Sequence, residues 1–524
     1  MAWLELNKLK YSIMDRILLD LDYLTIESDE KIGLVGINGS GKTTLLNIIK
    51  GTVYPDTGTV KRKKSISLLP QLKKSNGIKS GGEVTASTII SVLNEKSGIL
   101  LADEPTTHLD VEHIEWLEKE IIAYNGAYII VSHDRDFLDK TCNQIWELND
   151  GKIKQYSGNY TAYTTEKEKE LKQRQNSYNS YKKKEKQLLV SKRKKEQQAQ
   201  RAISRPENIS GSEARIAGAR PYFEKKAKKL HKAASSMDTR IDQLEKVEKP
   251  EEPEIIKMKL TNERKFLNRY IIRANDFSMA FPKKTLWNSV NFSIKGGEKV
   301  AILGKNGSGK TTLIRKMLTE SNGIRTAEAM KIGYFAQNLS VLDEGKTILE
   351  NVQNGSKQTE TLIRIILAQL LFKKEDVYKQ VDVLSGGERV KVALAKLIAG
   401  DYNTLILDEP TNFLDTQAIE SLEALLSEYE GSVLFVTHDR RFLNKIANRL
   451  LVIEDKQIHS FTGSYEEYKT FKNKPKQTSK EEELIRIENK LVTVLSKLSI
   501  EPSDELEEEF QQLLKQKKKL KMRD

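Results

Sequence analysis

The sequence predicts an α/β fold in which a parallel-sheet domain occurs twice, with a helical linker between the copies and a helical extension after the second. Three observations predict it. Five short motifs recur in the same order in both halves of the chain. Apolar runs of four or five residues, typical of buried parallel strands, flank those motifs in each half. The 524 residues are also too many for one hydrophobic core.

A glycine-rich loop that leads into Lys-Thr-Thr occurs once in each half. Backbone N–H groups of such a loop, at the start of a helix, can surround phosphate oxygens. The lysine reaches the β- and γ-phosphates, and the first threonine offers its hydroxyl to Mg²⁺. We therefore predict two sites for a nucleoside triphosphate. Their candidate residues are Gly36, Asn38, Gly39, Ser40, Gly41, Lys42, Thr43 and Thr44 in the first copy and Gly304, Asn306, Gly307, Ser308, Gly309, Lys310, Thr311 and Thr312 in the second.

An Asp-Glu pair ends an apolar strand in each half, at Asp103-Glu104 and Asp408-Glu409. The aspartates are predicted to hold Mg²⁺ together with the loop threonines. The glutamates are predicted to polarise the attacking water. An exposed pair of loop acids is the alternative interpretation, and the repeated context argues against it.

Two further polar residues accompany each pair. Gln71 and Gln337 are predicted to sense the metal ion and the water. His133 and His438 follow an apolar strand and precede Asp-Arg, which favours a contact with the γ-phosphate. These four residues complete the predicted catalytic set.

A Ser-Gly-Gly-Glu run at a helix start is the last recurring motif. It can supply a second phosphate contact from outside the glycine-rich loop. The predicted contacts are Ser80, Gly81 and Gly82 in the first copy and Ser385, Gly386 and Gly387 in the second. Tyr11 and Phe281 precede the loops by 25 and 23 residues. They are candidates to stack on the base, with ordinary core aromatics as the alternative.

The spacing of the motifs shows that the two copies differ in length. Eight residues lie between Gln71 and Ser80, whereas 47 lie between Gln337 and Ser385. The spacing elsewhere is nearly constant. The first copy is therefore predicted to lack a subdomain that the second keeps.

The segment between the copies carries nearly all of the excess positive charge. The whole chain has a net charge of +13, and residues 182–232 hold 17 basic and 5 acidic residues, a net charge of +12. Apolar and long side chains recur three and four residues apart on both sides of a Gly- and Pro-containing stretch. This predicts two antiparallel helices with a tip at about 204–223. A solvated helix face is the alternative to a polyphosphate partner.

Composition excludes several classes of protein. The hydrophobic content is 38%, no apolar run approaches the roughly 20 residues of a membrane span, and no signal segment begins the chain. The single cysteine, Cys142, rules out an intrachain disulfide. We expect a cytoplasmic protein. The predicted domains are 1–163, the linker 164–250, the second domain 251–474 and a helical hairpin extension 475–524.

Taken together, these motifs resemble the ATP-binding-cassette superfamily, and the arrangement resembles its ABC-F subfamily: two cassettes in one chain with a charged helical linker. The likeness is greatest to the Vga-type antibiotic-resistance proteins. It implies ATP and Mg²⁺ as ligands, ATP hydrolysis, and an intramolecular pair of cassettes in a monomer. It also implies head-to-tail sites, in which Lys42 and Glu104 face Ser385–Gly387 while Lys310 and Glu409 face Ser80–Gly82.

The resemblance further implies a ribosomal partner. Linkers of this subfamily enter the E site toward the peptidyl-transferase centre, beside large-subunit RNA and P-site transfer RNA. Vga-type members protect ribosomes from lincosamides, streptogramins A and pleuromutilins. Lys79 departs from the leucine usual in the family, so slower turnover is expected at the site that Ser80 completes. The alternatives are a housekeeping translation factor without a drug role, an exporter motor subunit and a chromosome-structuring ATPase.

Overall fold

The computed structural model describes residues 2–71, 81–107, 109–203, 219–244, 246–247, 269–282, 284–319, 323–336, 341–372 and 375–473, together with 491, 494, 510, 511, 513 and 514. At 81–86, 202–203 and 219–224 the description covers the main chain. Two predictions lie wholly outside these residues, the contacts of Ser80 and the role of Gln337. Residues 204–218 of the linker tip predicted at about 204–223 also lie outside them. Most of the predicted C-terminal hairpin also lies outside them.

The first domain contains two sheets and four helices among its described residues. Its elements are β1 (Leu4–Ile13), β2 (Arg16–Ile26), β3 (Lys31–Val35), α1 (Lys42–Lys50), β4 (Thr57–Arg62), β5 (Ile66–Leu69), α2 (Gly81–Asn94), β6 (Ile99–Asp103), α3 (Val111–Ile122), β7 (Ala127–Val131), α4 (Arg135–Thr141), β8 (Gln144–Asn149) and β9 (Lys152–Ser157). The central sheet has the order β5-β6-β7-β3-β8-β9. Its first five strands run parallel, and β9 pairs antiparallel with β8.

The linker and the second domain follow. Their elements are α5 (Tyr160–Ile203), α6 (Ala219–Asp242), β10 (Tyr270–Phe281), β11 (Lys284–Lys295), β12 (Lys299–Gly304), α7 (Lys310–Leu318), β13 (Ile324–Thr326), β14 (Ile332–Phe335), α8 (Ile348–Gln353), α9 (Glu360–Gln369), α10 (Gly386–Ala399), β15 (Thr404–Asp408), α11 (Thr416–Glu428), β16 (Ser432–Val436), α12 (Arg440–Ile446), β17 (Arg449–Glu454), β18 (Gln457–Thr462) and α13 (Tyr465–Asn473). The central sheet, β14-β15-β16-β12-β17-β18, repeats the topology of the first domain.

The predicted apolar runs are the buried strands of these sheets. Strands β6, β7, β15 and β16 are buried along their whole length, as expected for parallel strands covered on both faces. Each domain has one hydrophobic core on either side of its central sheet. The fold class predicted for both domains is therefore confirmed.

The length difference between the domains corresponds to helices. In the second domain α8 and α9 lie between β14 and α10. Ile363, Ile366 and Leu367 of α9 pack into the core of the second domain. Between β5 and α2 the first domain has too few residues for an equivalent helical pair, so the subdomain is present in one copy.

The linker begins earlier and its second helix starts sooner than the sequence predicted. Helix α5 begins at Tyr160 rather than at 164, and α6 begins at Ala219, inside the predicted tip. Pro221 is the third residue of α6, and a proline is compatible with the first turn because no intrahelical bond is lost there. The two helices pack on each other, and Lys192 Nζ lies 2.7 Å from a carboxylate oxygen of Asp238.

The described residues near the C-terminus form a small apolar cluster of Leu491, Val494 and Leu513 with Phe510 and Leu514. Within the described residues, no helix combines the length and the apolar character that a membrane crossing requires.

Candidate functional site

Most of the residues predicted to bind nucleotide face one continuous cleft between the two domains, of ≈ 3430 Å³; Ser40, Gly304, Ser308 and Gly386 are not part of its wall. Its wall includes these predicted residues: Gly36, Asn38, Gly39, Gly41, Lys42, Thr43, Thr44, Gln71, Asp103, Glu104, His133, Phe281, Asn306, Gly307, Gly309, Lys310, Thr311, Thr312, Ser385, Gly387, Asp408, Glu409 and His438. We call the set around Lys42, Glu104 and His133 the first site, and the set around Lys310, Glu409 and His438 the second site.

The glycine-rich loops run from a buried strand into a helix. Lys42 and Lys310 are the first residues of α1 and α7, and the preceding glycines have φ near +104°. This conformation favours glycine, because side chains rarely adopt it. Lys42 Nζ donates to the carbonyl oxygens of Gly36 and Ile37 at 2.7 and 3.0 Å. Lys310 makes the equivalent pair of bonds.

These loops fit a bound anion. Neither helix has a side-chain cap at its N-terminus, so the first N–H groups are available to a ligand. The hydroxyls of Ser40 and Ser308 are buried without a hydrogen-bond partner among the described residues. Phosphate oxygens would supply acceptors for both kinds of donor.

The predicted metal ligands also lie together. Thr43 Oγ1 donates to Asp103 Oδ2 at 2.7 Å. Burial raises the pKa of Asp408, and a hydrogen bond from Thr311 partly opposes that increase. Asp408 Oδ1 is buried without a partner among the described residues. Hydroxyl and carboxylate oxygens in this arrangement suit the oxygen-ligand preference of Mg²⁺.

Each predicted general base is the residue after the metal-binding aspartate, and its backbone is strained. Glu104 and Glu409 have φ of 51° and 55°, in a region that residues other than glycine seldom occupy. In both, the backbone N–H donates at 2.9 Å to the carbonyl at the end of the neighbouring strand. The turn aims the carboxylate into the cleft, where it meets a histidine. The Oε1–Nε2 distance is 3.3 Å to His133 and 3.1 Å to His438.

Burial controls the protonation of these groups. It raises the pKa of Glu104 to about 8, although the Lys42 ammonium opposes the increase. It lowers the pKa of His133 and of His438 to about 3. Both histidines are therefore neutral near pH 7 and serve as hydrogen-bonding groups rather than as cations.

The Ser-Gly-Gly motif of the second domain lies at the first site. Ser385 caps α10 in a reciprocal capping box with Glu388. A Cβ added to Gly387 would lie 3.0 Å from Asn38 Nδ2 and 2.7 Å from the Phe413 carbonyl. Glycine is needed there because of the Phe413 main-chain carbonyl of the same domain, and the next-nearest group is the Asn38 side chain of the other domain. Gly81 and Gly82 are the first residues of α2, and no contact between them and the second site is described.

Tyr11 is not at the cleft, and this prediction needs correction. Tyr11 pairs with Leu19 in the sheet and packs against the core of the first domain. The pair that corresponds to Phe281 and Lys284 of the second domain is Ile13 and Arg16, and both pairs line the cleft. The offset of 268 between Lys42 and Lys310 also relates Ile13 to Phe281, so the repeat spacing could have identified Ile13 from the sequence.

Two aspartates at the domain interface were missed as well. Asp110 Oδ2 accepts a hydrogen bond from the backbone N–H of Asn306 at 3.0 Å. Asp415 Oδ2 accepts one from Asn38 N at 3.4 Å. The offset of 305 that relates the other late motifs also relates these two residues. Each aspartate therefore joins one domain to the glycine-rich loop of the other.

Comparison with known proteins gives the same organisation. The family model described as ABC transporter matches residues 19–78 and 287–412, one stretch in each domain. The ribosome protection protein VmlR of Bacillus subtilis is 31% identical over 99% of this chain and 98% of its own length. The erythromycin resistance ATP-binding protein MsrA of Staphylococcus epidermidis is 32% identical over 88% of this chain and 99% of its own.

A further relative is named for a role in translation rather than for antibiotic resistance. The energy-dependent translational throttle protein EttA of Haemophilus influenzae is 32% identical over 75% of this chain and 67% of its own. Among solved structures, the archaeal ribosome recycling factor aABCE1, in complex with the ribosomal stalk protein aP1, has a TM-score of 0.59. It is 18% identical and the match covers 88% of this chain and 92% of that chain. At that identity the likeness concerns the fold.

Proposed function

Since this chain belongs to the ABC-F family of ATP-binding-cassette proteins and hydrolyses ATP, we propose that it is a ribosome-protection ATPase. ATP binding between its domains sets the position of the linker helices α5 and α6. The linker enters the ribosomal E site and displaces an antibiotic near the peptidyl-transferase centre. Lincosamides, streptogramins A and pleuromutilins are the proposed drugs, and the proposed location is the cytoplasm.

In the proposed reaction Glu104 and Glu409 orient and polarise the water that attacks the γ-phosphate. Each neutral histidine has its Nε2 beside the adjacent glutamate, at 3.3 Å in the first site and 3.1 Å in the second, and is placed to contact the transferred phosphoryl group. Lys42 and Lys310 leave the loop carbonyls to bind phosphate oxygens. Magnesium, held by the threonine and aspartate of each site with Gln71 or Gln337, would neutralise charge on those oxygens.

We propose composite, head-to-tail sites. Support for the first site comes from Gly387 and Phe413 of the second domain, which lie against Asn38. The second site is proposed by symmetry, since Asp110 meets Asn306 as Asp415 meets Asn38. Helix α10 would thereby contribute its N-terminus to the phosphates held by the first glycine-rich loop.

The observation that carries the proposal is the contact between the first turn of α5 and both domains. Tyr160 is buried, its hydroxyl is hydrogen-bonded to Thr416, and the guanidinium of Arg441 lies 5.3 Å from its ring centroid. The backbone N–H of Thr161 donates to Asp139 Oδ1 of the first domain at 2.6 Å. Thr416 is the residue after Asp415, which faces the first site. A change in domain closure would therefore reorient α5.

The charge of the linker supports an RNA partner. Its lysines and arginines are concentrated at 182–232, and helix α5 is 44 residues long, about 66 Å at 1.5 Å per residue. A coiled coil of this length and charge suits a deep channel lined by RNA phosphates, because each neutralised phosphate releases counterions. Large-subunit RNA and P-site transfer RNA are the proposed contacts.

A housekeeping role in translation is the second candidate, and the similarity to EttA favours it. Both candidates require ATP-dependent ribosome binding. We expect the double variant Glu104→Gln, Glu409→Gln to pellet with ribosomes when ATP is present, because closure without hydrolysis prevents release. A variant that stays in the supernatant would refute both candidates.

Drug sensitivity separates the two. Cells that express the full chain should tolerate the proposed drugs, whereas cells that express a variant without residues 204–218 should not. As a control, the same deletion variant should still pellet with ribosomes, because its two domains are unchanged. Equal sensitivity of the two strains, with pelleting intact, would favour the housekeeping role.

A further inference from the structure

Two buried arginines cross the interface between the domains. Arg135 and Arg440 lie two residues after the site histidines, and their side chains are 4% and 3% exposed. Arg135 forms a two-point pair with the carboxylate of Glu423, with one N–O distance of 3.3 Å. Arg440 pairs with Glu118. Each pair joins one domain to the other, so the two form a reciprocal arrangement.

The glutamates sit on the helices that follow the interface aspartates. Glu423 lies on α11, whose N-cap is Asp415, and Glu118 lies on α3, whose N-cap is Asp110. Arg135 therefore connects the histidine of the first site to the helix that begins at that site from the opposite domain. Arg440 makes the equivalent connection at the second site.

A second set of contacts links the two sites to each other. Arg135 lies 3.6 Å from Asp439, the residue after the histidine of the second site. Arg440 lies 3.6 Å from Asp134, the residue after the histidine of the first site. Both aspartates also cap the helix that follows, by accepting backbone N–H bonds at 3.0 Å. A shift of either histidine loop therefore changes an ion pair that the other loop shares.

The arrangement is also incompletely paired. Arg135 Nε and the Nε and Nη1 of Arg440 are buried without a hydrogen-bond partner among the described residues, although Arg440 Nε lies 3.9 Å from Asp136 Oδ2. A buried unpaired donor gains free energy when it finds an acceptor. Further acceptors for these N–H groups would therefore be favourable if the domains moved.

We propose that Arg135 and Arg440 are positioning residues that couple the two ATP sites, so that occupancy of one site favours closure at the other. Arg135 holds α11 against the histidine loop of the first site and shares Asp439 with the second site. Arg440 does the converse. The proposal rests on nucleotide binding in the cleft and is independent of the ribosomal partner.

The test measures equilibrium ATP binding rather than turnover. In the Glu104→Gln, Glu409→Gln background, binding is followed without hydrolysis. We expect a Hill coefficient clearly above one, since coupled sites bind cooperatively. Adding Arg135→Lys and Arg440→Lys should reduce it to about one, because an ammonium keeps the charge but cannot bridge two carboxylates as a guanidinium can.

The matched control removes charges that pair with the same glutamates inside one domain. Lys445 Nζ lies 3.0 Å from Glu423, and Lys140 Nζ lies 2.9 Å from Glu118. Lys445→Gln with Lys140→Gln should leave the cooperativity intact, and circular dichroism checks that all variants are folded. Non-cooperative binding in the background protein would overturn the proposal. So would cooperativity that survives both lysine substitutions, or loss of ATP binding in that variant.

Discussion

Asn38 Nδ2 donates a 2.7 Å hydrogen bond to the main-chain carbonyl of Phe413, which belongs to the other domain. The backbone N–H of Asn38 also meets Asp415 Oδ2, at 3.4 Å. One residue of the first glycine-rich loop therefore holds two contacts across the interface. These contacts place the loop under the helix that begins with the Ser-Gly-Gly motif of the second domain.

Removing the Asn38 side chain should slow ATP hydrolysis at the first site. Asn38→Ala deletes the bond to the Phe413 carbonyl and keeps the backbone contact. A net hydrogen bond contributes about 0.5–1.5 kcal/mol, so we expect turnover to fall by about twofold to tenfold. Turnover is measured in the Glu409→Gln background, where the second site is silent.

The control for this prediction stays within one domain. Asn47→Ala removes a side chain that accepts a hydrogen bond from Thr52 on the same domain. It should have little effect on turnover. Equal effects of the two alanine substitutions would show that the contact across the interface is unimportant.

The Thr43 hydroxyl should set the magnesium requirement of the first site. It donates to Asp103 at 2.7 Å, and both groups are oxygen ligands suited to Mg²⁺. Thr43→Ala should raise the Mg²⁺ concentration for half-maximal hydrolysis about tenfold, as expected when a ligand or its orienting partner is lost. Thr43→Ser keeps the hydroxyl and should resemble the parent. Identical magnesium curves for the two variants would contradict the assignment.

The sequence predicted the strands and the glycine-rich loops of both domains because each depends on a local pattern. A glycine-rich loop, a strand that ends in Asp-Glu and a histidine after the next strand each specify their own backbone. The order of the strands in the sheet then brings them to one edge. Lys42, Glu104 and His133 meet there because parallel strands present their carboxyl ends together.

The contacts across the interface could not be predicted in the same way. Arg135 and Glu423 are 288 residues apart, and no local pattern relates an arginine on α4 to a glutamate on α11. Their pairing depends on how two folded domains dock. The prediction for Tyr11 was wrong for a different reason: the repeat offset of 268 relates Phe281 to Ile13, and Tyr11 lies two residues earlier in β1, packed against the core.

The two sites should differ in how they hold the base. Phe281, which is 49% exposed, lines the cleft in the second domain, and Ile13 has the corresponding position in the first. An aromatic face stacks on a base, with about 1–3 kcal/mol lost on truncation. Phe281→Ala should therefore raise the KM for ATP at the second site about fivefold to a hundredfold, as measured in the Glu104→Gln background.

The reciprocal substitution tests the same idea at the first site. Ile13→Phe should lower the KM for ATP there, as measured in the Glu409→Gln background, while kcat changes little. Met14, the next residue, is almost fully exposed and is absent from the cleft wall, so Met14→Phe is the control. A KM that is unaffected by Ile13→Phe would place the base elsewhere.

Glu104 should make the nucleotide-free protein less stable as the pH rises. Its folded pKa of about 8 lies above the ordinary value of 4.5 for a glutamate because burial disfavours the carboxylate. Between these values the native state binds more protons than the unfolded state, so the stability contribution of this group declines with pH. Glu104→Gln removes the titration and should raise the Tm by a few degrees at about pH 9 and much less at about pH 5. Glu120→Gln, at an exposed position of α3, is the control. A Tm gain for Glu104→Gln that is equal at both pH values would mean that the carboxylate is already ionised in the folded protein at about pH 5. Glu104 would then act on the water without a raised pKa.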